Sequence, residues 1–416
     1  MPNPLHFVPL DVPNLILDEI FALEDRATID ACSVVWRSFT NRCQKHLFRK
    51  VLRSGERTFG TFGQDLAWVV THTRLAGYVE EFTFAGSYSL NTRRGEGTGL
   101  GELNSTLVLA YMSLFPKLKA LTICSCRWIG DDRAPIPAPR CLWREVPPKF
   151  PNLKTLIIDD VHCLGLHSNV LEVFQFVVAL DQLRIARVRW QAEFPERDYQ
   201  RLALTSKSFA LNNPLLHAQY NGYASRIRTV EGVEHLHLEK HVYAQAGLLR
   251  RILSDNNASL KSLSMTISAM HDIGPQEDWD NLNLSQCTSL TWIIINLQLH
   301  EHTVDEGAAE RAMALSLLLL QLPDSLQHLT LHITILNDTC MDAYDDLQLV
   351  DWAAVGIYVR EISSLSQISI QLHSVTRVNT PHWTEMKRTE FQDHLIGFSC
   401  REGSEPSIII YDRRNE

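Results

Sequence analysis

The sequence predicts an α/β protein: a three-helix module over residues 1–51, followed over residues 52–416 by an irregular solenoid in which a curved parallel sheet is backed by outer helices. Three observations predict it. Residues 5–51 carry three short amphipathic patterns. A unit of the form apolar-x-x-apolar-x-apolar returns nine times between Val79 and Ile370, and helical patterns fill most of the intervals between the copies.

In the N-terminal module, Pro13 suits the first turn of a helix, where its missing N–H removes a bond that would be unmade anyway. Asp11 lies just upstream, where a carboxylate meets the positive end of the helix dipole. A helix is expected over residues 14–21, with Leu15, Ile16, Ile20 and Phe21 at near-helical spacing. A second is expected over 28–35, apolar at Ile29, Cys32, Val34 and Val35, and a third over 36–49, with Trp36, Phe39, Cys43, Leu47 and Phe48. A module this small makes a poor core alone, and its helices have more apolar face than they can turn toward each other. One face is therefore left for a partner, unless the module merely caps the domain that follows.

The repeated unit reads Val79, Phe82, Phe84; Leu118, Leu121, Ile123; Leu153, Leu156, Ile158; Leu180, Leu183, Ile185; Val233, Leu236, Leu238; Leu260, Leu263, Met265; Leu290, Ile293, Ile295; Leu326, Leu329, Leu331; and Leu365, Ile368, Ile370. Its last four positions alternate as a strand does, and the leading residue closes the turn below, which makes it the strand half of a leucine-rich repeat. Subtracting successive middle positions from Phe82 to Ile368 gives spacings of 39, 35, 27, 53, 27, 30, 36 and 39 residues. Most exceed the roughly 20–29 residues of regular repeats, and the asparagine of those repeats is mostly missing, so curvature should be irregular. Helices are expected over 62–72, 105–114, 169–179, 243–253, 308–321, 351–362 and 383–398. Pro116, Pro151, Pro323 and the run Asp255-Asn256-Asn257 act as punctuation. Strand, crossover helix and parallel strand in monotonic repetition build an open solenoid. The long interval between Leu183 and Leu236 holds either a degenerate repeat around 209–211 or a long loop, and residues 408–411 can add a last strand.

Composition narrows the function. The chain has 416 residues, 45% hydrophobic, with 39 basic and 48 acidic residues and a net charge of -9. That balance argues against nucleic acid, which needs a basic face. The longest apolar run, 312–322, is shorter than the roughly 20 residues that span a bilayer, and no basic-then-apolar leader is visible, so neither membrane nor secretion is expected. Nine cysteines without framework spacing fit free thiols in a reducing compartment, cytoplasmic or nuclear, which makes the Asn-x-Ser/Thr triplets at Asn104, Asn257, Asn283 and Asn337 chance matches.

Signals for chemistry are thin. The cluster Gly95, Gly97, Gly99, Gly101 sits ten or more residues past a strand and lacks both the Gly-Lys-Ser/Thr of a phosphate loop and the spacing of a dinucleotide fingerprint. His235, His237 and His241 have no carboxylate or cysteine quartet to complete a zinc site, and Cys124 and Cys126 lack Cys-x-x-Cys spacing. No hydrolase elbow, zinc-protease helix or kinase set is present. No cofactor or metal is expected. The Pro-rich stretch 133–148, containing Trp143, reads as an extended surface loop.

Function is then expected on the sheet surface, where residues between the apolar positions alternate outward. This row includes Arg184, His235, His237, Trp292, Ile294, His328 and His332, together with Thr122, Cys124, Thr155, Asp159, Thr266, Asn296 and Ser369. It is mixed, mostly uncharged and rich in histidine. Trp292 and Ile294 are natural anchors for a target protein.

The N-terminal module resembles an F-box, whose loose consensus runs from a Leu-Pro pair through an acidic residue, an apolar residue and an Ile-Leu pair to a final apolar position. Val8 and Pro9, Asp11, Val12, Ile16 and Leu17, and Ile20 take those places in order. Ile29, Cys32, Val35, Arg37 and Phe39 match the family's central segment, and Leu47 and Phe48 its closing pair. Val8 and Phe39 depart from the usual leucine and tryptophan. With repeats behind it, the layout is similar to the large F-box families of fungi. The resemblance implies a substrate receptor of a cullin-RING ubiquitin ligase that does no covalent chemistry itself. Pro9, Val12, Ile16, Leu17, Ile20, Val35 and Phe39 would form or support the interface with a Skp-type adaptor, and through it a cullin, while the repeats hold an unknown target. The alternatives are a repeat-based scaffold acting outside any ligase and an enzyme with a dispersed site.

Overall fold

The computed structural model describes residues 11–35, 37–54, 62–86, 101–129, 149–164, 170–190, 204–212, 230–239, 246–267, 281–300, 306–336, 352–374 and 407–412. The chain is α/β, built on parallel strands with helices between them. It divides into two compact units, Met1–Val177 and Val178–Glu416.

The first unit opens with α1 (Asp11–Ala22), α2 (Arg26–Val35) and α3 (Arg37–Leu47), close to the three expected helices. The strands β1 (Lys50–Ser54), β2 (Glu81–Ala85), β4 (Ala120–Cys124) and β6 (Thr155–Asp159) follow in parallel, ordered β1-β2-β4-β6. Between them lie α4 (Phe62–Thr71), α5 (Thr73–Ala76) and α6 (Ser105–Leu114). Short strands β3 (Glu102–Leu103), β5 (Arg127–Ile129) and β7 (His162–Leu164) form a second parallel ladder just past the main strands. The chain turns from one ladder to the other at Ser125 and Asp160, both left-handed, with φ of 50° and 52°. Directly after β2, a Cβ on Gly86 would stand 2.0 Å from the Ser125 carbonyl oxygen, so only glycine fits there.

The second unit strings β8 (Ala179–Ala186), β10 (Leu204–Asn212), β12 (His235–Glu239), β13 (Ser262–Ile267), β14 (Trp292–His300), β15 (His328–Leu336), β16 (Gln367–Ser374) and β17 (Ser407–Asp412) into one parallel sheet in that order, with β11 (Val230–Glu231) pairing β10. β9 (Arg189–Trp190) follows β8 through another left-handed corner at Arg187, with φ of 49°. The helices are α7 (Ala246–Asn256), α8 (Glu306–Leu319) and α9 (Trp352–Glu361).

Every apolar position of the nine sequence units is buried. The reason is local and repeated. At the start of β2, β4, β6, β13, β14, β15 and β16 two successive N–H groups converge on one carbonyl just ahead of the strand before. Lys119 and Ala120 donate to Glu80 (2.7 and 3.0 Å), Lys261 and Ser262 to Glu234, and Ser366 and Gln367 to Gln327. Those bonds fix a register in which middle positions stand side by side: Phe82 beside Leu121, Leu121 beside Leu156, Leu263 beside Ile293, Leu329 beside Ile368.

Four expectations are corrected or completed. The segment expected as a helix over 169–179 is a 3-10 turn, Val170–Phe176, which runs straight into β8; Val177 already bridges Phe150, leaving no room for further helical turns. The helix expected over 243–253 runs to Asn256, through the residues read as a turn. The long interval contains a true strand, β10, which pairs β8 and β12. β1 was not expected, because Lys50, Arg53 and Ser54 break its apolar pattern. The helix expected over 383–398 and the Gly-rich and Pro-rich segments lie outside the described residues, apart from Gly101.

The six described cysteines are free thiols. Burial pushes the Cys126 thiol well above its ordinary value and that of Cys287 up to about 11. Since the thiolate is the nucleophile, Cys126 and Cys287 should resist iodoacetamide at pH 8 until urea is added, whereas half-exposed Cys32 should be labelled in the native protein. Peptide-resolved mass spectrometry reads both.

Candidate protein-docking surfaces

The three-helix module closes a small core of Leu17, Ile29, Phe39 and Cys43, with Ile20, Phe21, Cys32 and Leu47 packed against it. Asp25 caps α2: its carboxylate accepts from the Ala27 and Thr28 N–H groups (3.1 and 3.3 Å) and from the Thr28 hydroxyl (2.6 Å), and the Thr28 bonds hold its pKa below the usual carboxylate value. The Phe21 ring stacks on His46 at 4.3 Å, and Arg42 pairs with Asp18, so α1 is tied to α3 on one side.

Among the described residues nothing covers the other side of α1. Leu15, Ile16 and Leu23 are 65%, 51% and 77% exposed. At 100° per residue they fall within one 100° sector, turned away from the sector of Leu17 and Phe21. Val34 on α2 is also exposed, at 80%. Of the residues expected to serve the adaptor, Ile16 is presented to solvent, Ile20 is half-buried, and Leu17 and Phe39 are core, where they hold α1 and α3 in place. Val12 and Val35 lie on α1 and α2, but their side chains, and all of Pro9, lie outside the described residues. Leu15, Leu23 and Val34 were missing from the expected interface. The signal was present in the helical wheel of α1, where Leu15 and Ile16 bound one sector and Leu23, one residue past the helix end, continues into it.

The second surface is the sheet face of the Val178–Glu416 unit. Register places its residues in rows. One runs Ser208, His235, Ser262, Trp292, His328, Gln367, and the next runs Arg184, Ala210, His237, Ser264, Ile294, Thr330, Ser369. All seven residues expected to touch a target therefore share this face, with His332 one row further along, beside Asn296. Trp292 is half exposed and its ring lies 5.6 Å from that of His328. The imidazole Nδ1 of His235 lies 2.8 Å from the Ser262 hydroxyl, and that of His328 lies 3.2 Å from the Gln367 amide oxygen. Thr266 and Ser369, expected outward, are buried, whereas Ser262, Ser264 and Thr330 on the same face are half-buried. Among the described residues no group of three or more His, Cys, Asp or Glu is placed to hold a metal ion, and no helix is long and apolar enough to cross a membrane.

No protein-family model matches the chain, and neither does any curated protein. The two surfaces therefore speak for themselves. One is a convex apolar stripe on a helix, suited to a hydrophobic groove. The other is a broad, mostly uncharged polar face with one aromatic anchor, suited to a folded or extended protein.

Proposed function

We propose that this chain is the substrate-recognition subunit of a Skp-cullin-F-box ubiquitin ligase, with the N-terminal helices docking a Skp-type adaptor and the sheet face centred on Trp292 holding the target. The observation that carries the reading is the apolar stripe Leu15, Ile16 and Leu23, exposed on a module whose own core is already closed. Such a stripe does nothing for the isolated module and gains its burial only from a partner. The reading is supported further by the F-box-like order of residues from Val8 to Phe48 and by a strand-repeat array directly behind it. Under it the chain forms no covalent bond; it raises the effective concentration of target beside a ubiquitin-loaded enzyme.

The test is co-purification of the full chain with a recombinant Skp-type adaptor. Wild type should bind. Ile16→Asp places a carboxylate in the buried interface and should weaken binding by more than about 30-fold, equivalent to at least about 2 kcal/mol, while leaving the fold intact. Leu17→Asp should instead melt the module, seen as lost helical circular dichroism. Failure of the wild type to bind removes the reading, and full binding by Ile16→Asp removes α1 as the interface. An adaptor complex that recruits no cullin would make the chain a protein-binding scaffold outside a ligase.

A further inference from the structure

β1 ends the strand order of its unit, and among the described residues no strand pairs its outer side. In a parallel ladder alternate residues of a strand bond to the same neighbour. The Arg49 carbonyl accepts from Glu80 and Glu81, so by the same alternation Val51 and Arg53 bond to β2, while the N–H and C=O of Leu52 and the N–H of Ser54 face outward. The Lys50 carbonyl, next in line, accepts from Arg26 Nη2 at 3.0 Å, which also bonds the Leu47 carbonyl at 3.1 Å. The Leu52 side chain is itself 62% exposed.

Two cavities flank this edge and share Arg26 and Lys50 to Leu52. One, of about 170 Å3, lies on the helix-covered face, where Phe82 lines it with Phe48, Trp68 and Leu75. The other, of about 350 Å3, lies on the opposite face, where Glu81 and Thr83 line it with His46 and Arg49. The first combines apolar side chains with Arg53 and His72, the Arg53 guanidinium lying 5.1 Å from the Trp68 ring centre and its buried Nε without a hydrogen-bond partner. The second is lined by Arg26, Arg49 and Lys50 with Glu24 and Glu81; Arg49 also pairs with Glu80 at 3.4 Å, and the Lys50 pairs are loose, 3.6 Å to Glu81 and 3.9 Å to Glu24. Burial first, then Arg49, holds the His46 pKa below its ordinary value, with Arg26 and Lys50 adding to Arg49 and Glu24 opposing.

A strand added to an edge turns successive side chains to opposite faces. Here one face carries Phe48, Trp68 and Leu75 beside Arg53, and the other carries Arg49 and Lys50 beside Glu81. We propose that the open edge of β1 binds an extended acidic segment of a partner protein as an added strand, its acidic side chains over Arg26, Arg49 and Lys50 and its alternate apolar side chains against Phe48, Trp68 and Leu75. The site uses none of the residues assigned to the adaptor or the target and does not rest on the ligase reading.

The experiment is fluorescence anisotropy of the full chain with a fluorescein-labelled nonapeptide of alternating Glu and Val. Binding should be saturable, and should weaken about tenfold or more when Gln replaces Glu or when the alternate amides that would join the ladder are N-methylated. Leu52→Pro removes the outward N–H at a position where edge strands tolerate proline, and should weaken binding comparably; if that variant does not fold, the N-methylated peptide carries the test alone. No binding of the parent peptide, or equal binding of the N-methylated or Gln peptide, overturns the proposal. So does a dimer of the chain that Leu52→Pro dissolves and that excludes the peptide, since the edge would then belong to a second copy.

Discussion

Phe82→Ala should destabilise the Met1–Val177 unit by about 3–5 kcal/mol, the usual cost of deleting a buried phenyl ring. Phe82 is 1% exposed and stands at the centre of an aromatic cluster: its ring lies 4.8 Å from Phe84, 5.1 Å from Tyr111 and 4.9 Å from Phe115. Such pairs contribute roughly 0.5–1.5 kcal/mol each beyond the area they bury. The cluster is also pinned, since the buried Tyr111 hydroxyl donates to the Phe62 carbonyl at 2.6 Å and Phe62 meets Phe84 edge-on at 5.2 Å. With α4, β2 and α6 joined through it, neighbouring groups have little freedom to close the gap, and the hole would merge with the 170 Å3 cavity that Phe82 already lines. Urea unfolding should show an earlier midpoint, and hydrogen exchange should show protection lost in β1, β2 and β4. A change below about 1 kcal/mol would mean that the cluster collapses around the missing ring.

The α/β class and the position of every repeated strand were legible because burial follows a fixed local pattern: the leading residue and the two alternating ones in each unit are all inside. Conformation was less legible where a neighbour decides it. Val170–Phe176 has a helical composition, yet it is cut to a 3-10 turn by the bridge that Val177 makes with Phe150. β1 was hidden because a terminal strand with one paired side needs few apolar residues. The inter-repeat serine bonds were also readable and were missed. Ser259, Ser325 and Ser364 each precede the leading leucine of a unit, and their hydroxyls donate to the Val233, Leu290 and Leu326 carbonyls of the unit before (3.0, 2.8 and 2.8 Å). The Ser-Leu pairs at 259–260, 325–326 and 364–365 were the signal. For the docking surface, the order of apolar residues in α1 located the helix, but which of them face solvent depended on how α3 packs, and that is a tertiary fact.

Asn256 shows the same limit at its sharpest, and replacing it should cost the Val178–Glu416 unit about as much as a core truncation. Read in sequence it is turn punctuation. In the fold it is the last residue of α7, 2% exposed, and its side chain is saturated: Oδ1 accepts from the Val233 N–H, and Nδ2 donates to the Val230 and Ile252 carbonyls, all at 2.9 Å. It thus fastens α7 to the turn between β11 and β12, whose Val230 and Val233 are themselves buried. Asn256→Ala leaves a buried donor and a buried acceptor unmet, at about 1–3 kcal/mol for each, so a loss of about 2–6 kcal/mol is expected. Asn256→Asp separates geometry from chemistry, because it keeps the shape and the acceptor but turns a carboxylate oxygen toward two carbonyls. Burial and that repulsion would raise its folded pKa above the roughly 3.9 of an unfolded Asp. The folded state then holds the proton more tightly than the unfolded state. The variant should therefore be least damaged below about pH 4 and lose stability as pH rises through the raised value. Urea midpoints of wild type and variant, compared from pH 4 to pH 8, test this: a gap that widens with pH shows that the amide's donors hold the turn, whereas a gap independent of pH would show that the position requires only a side chain of this size.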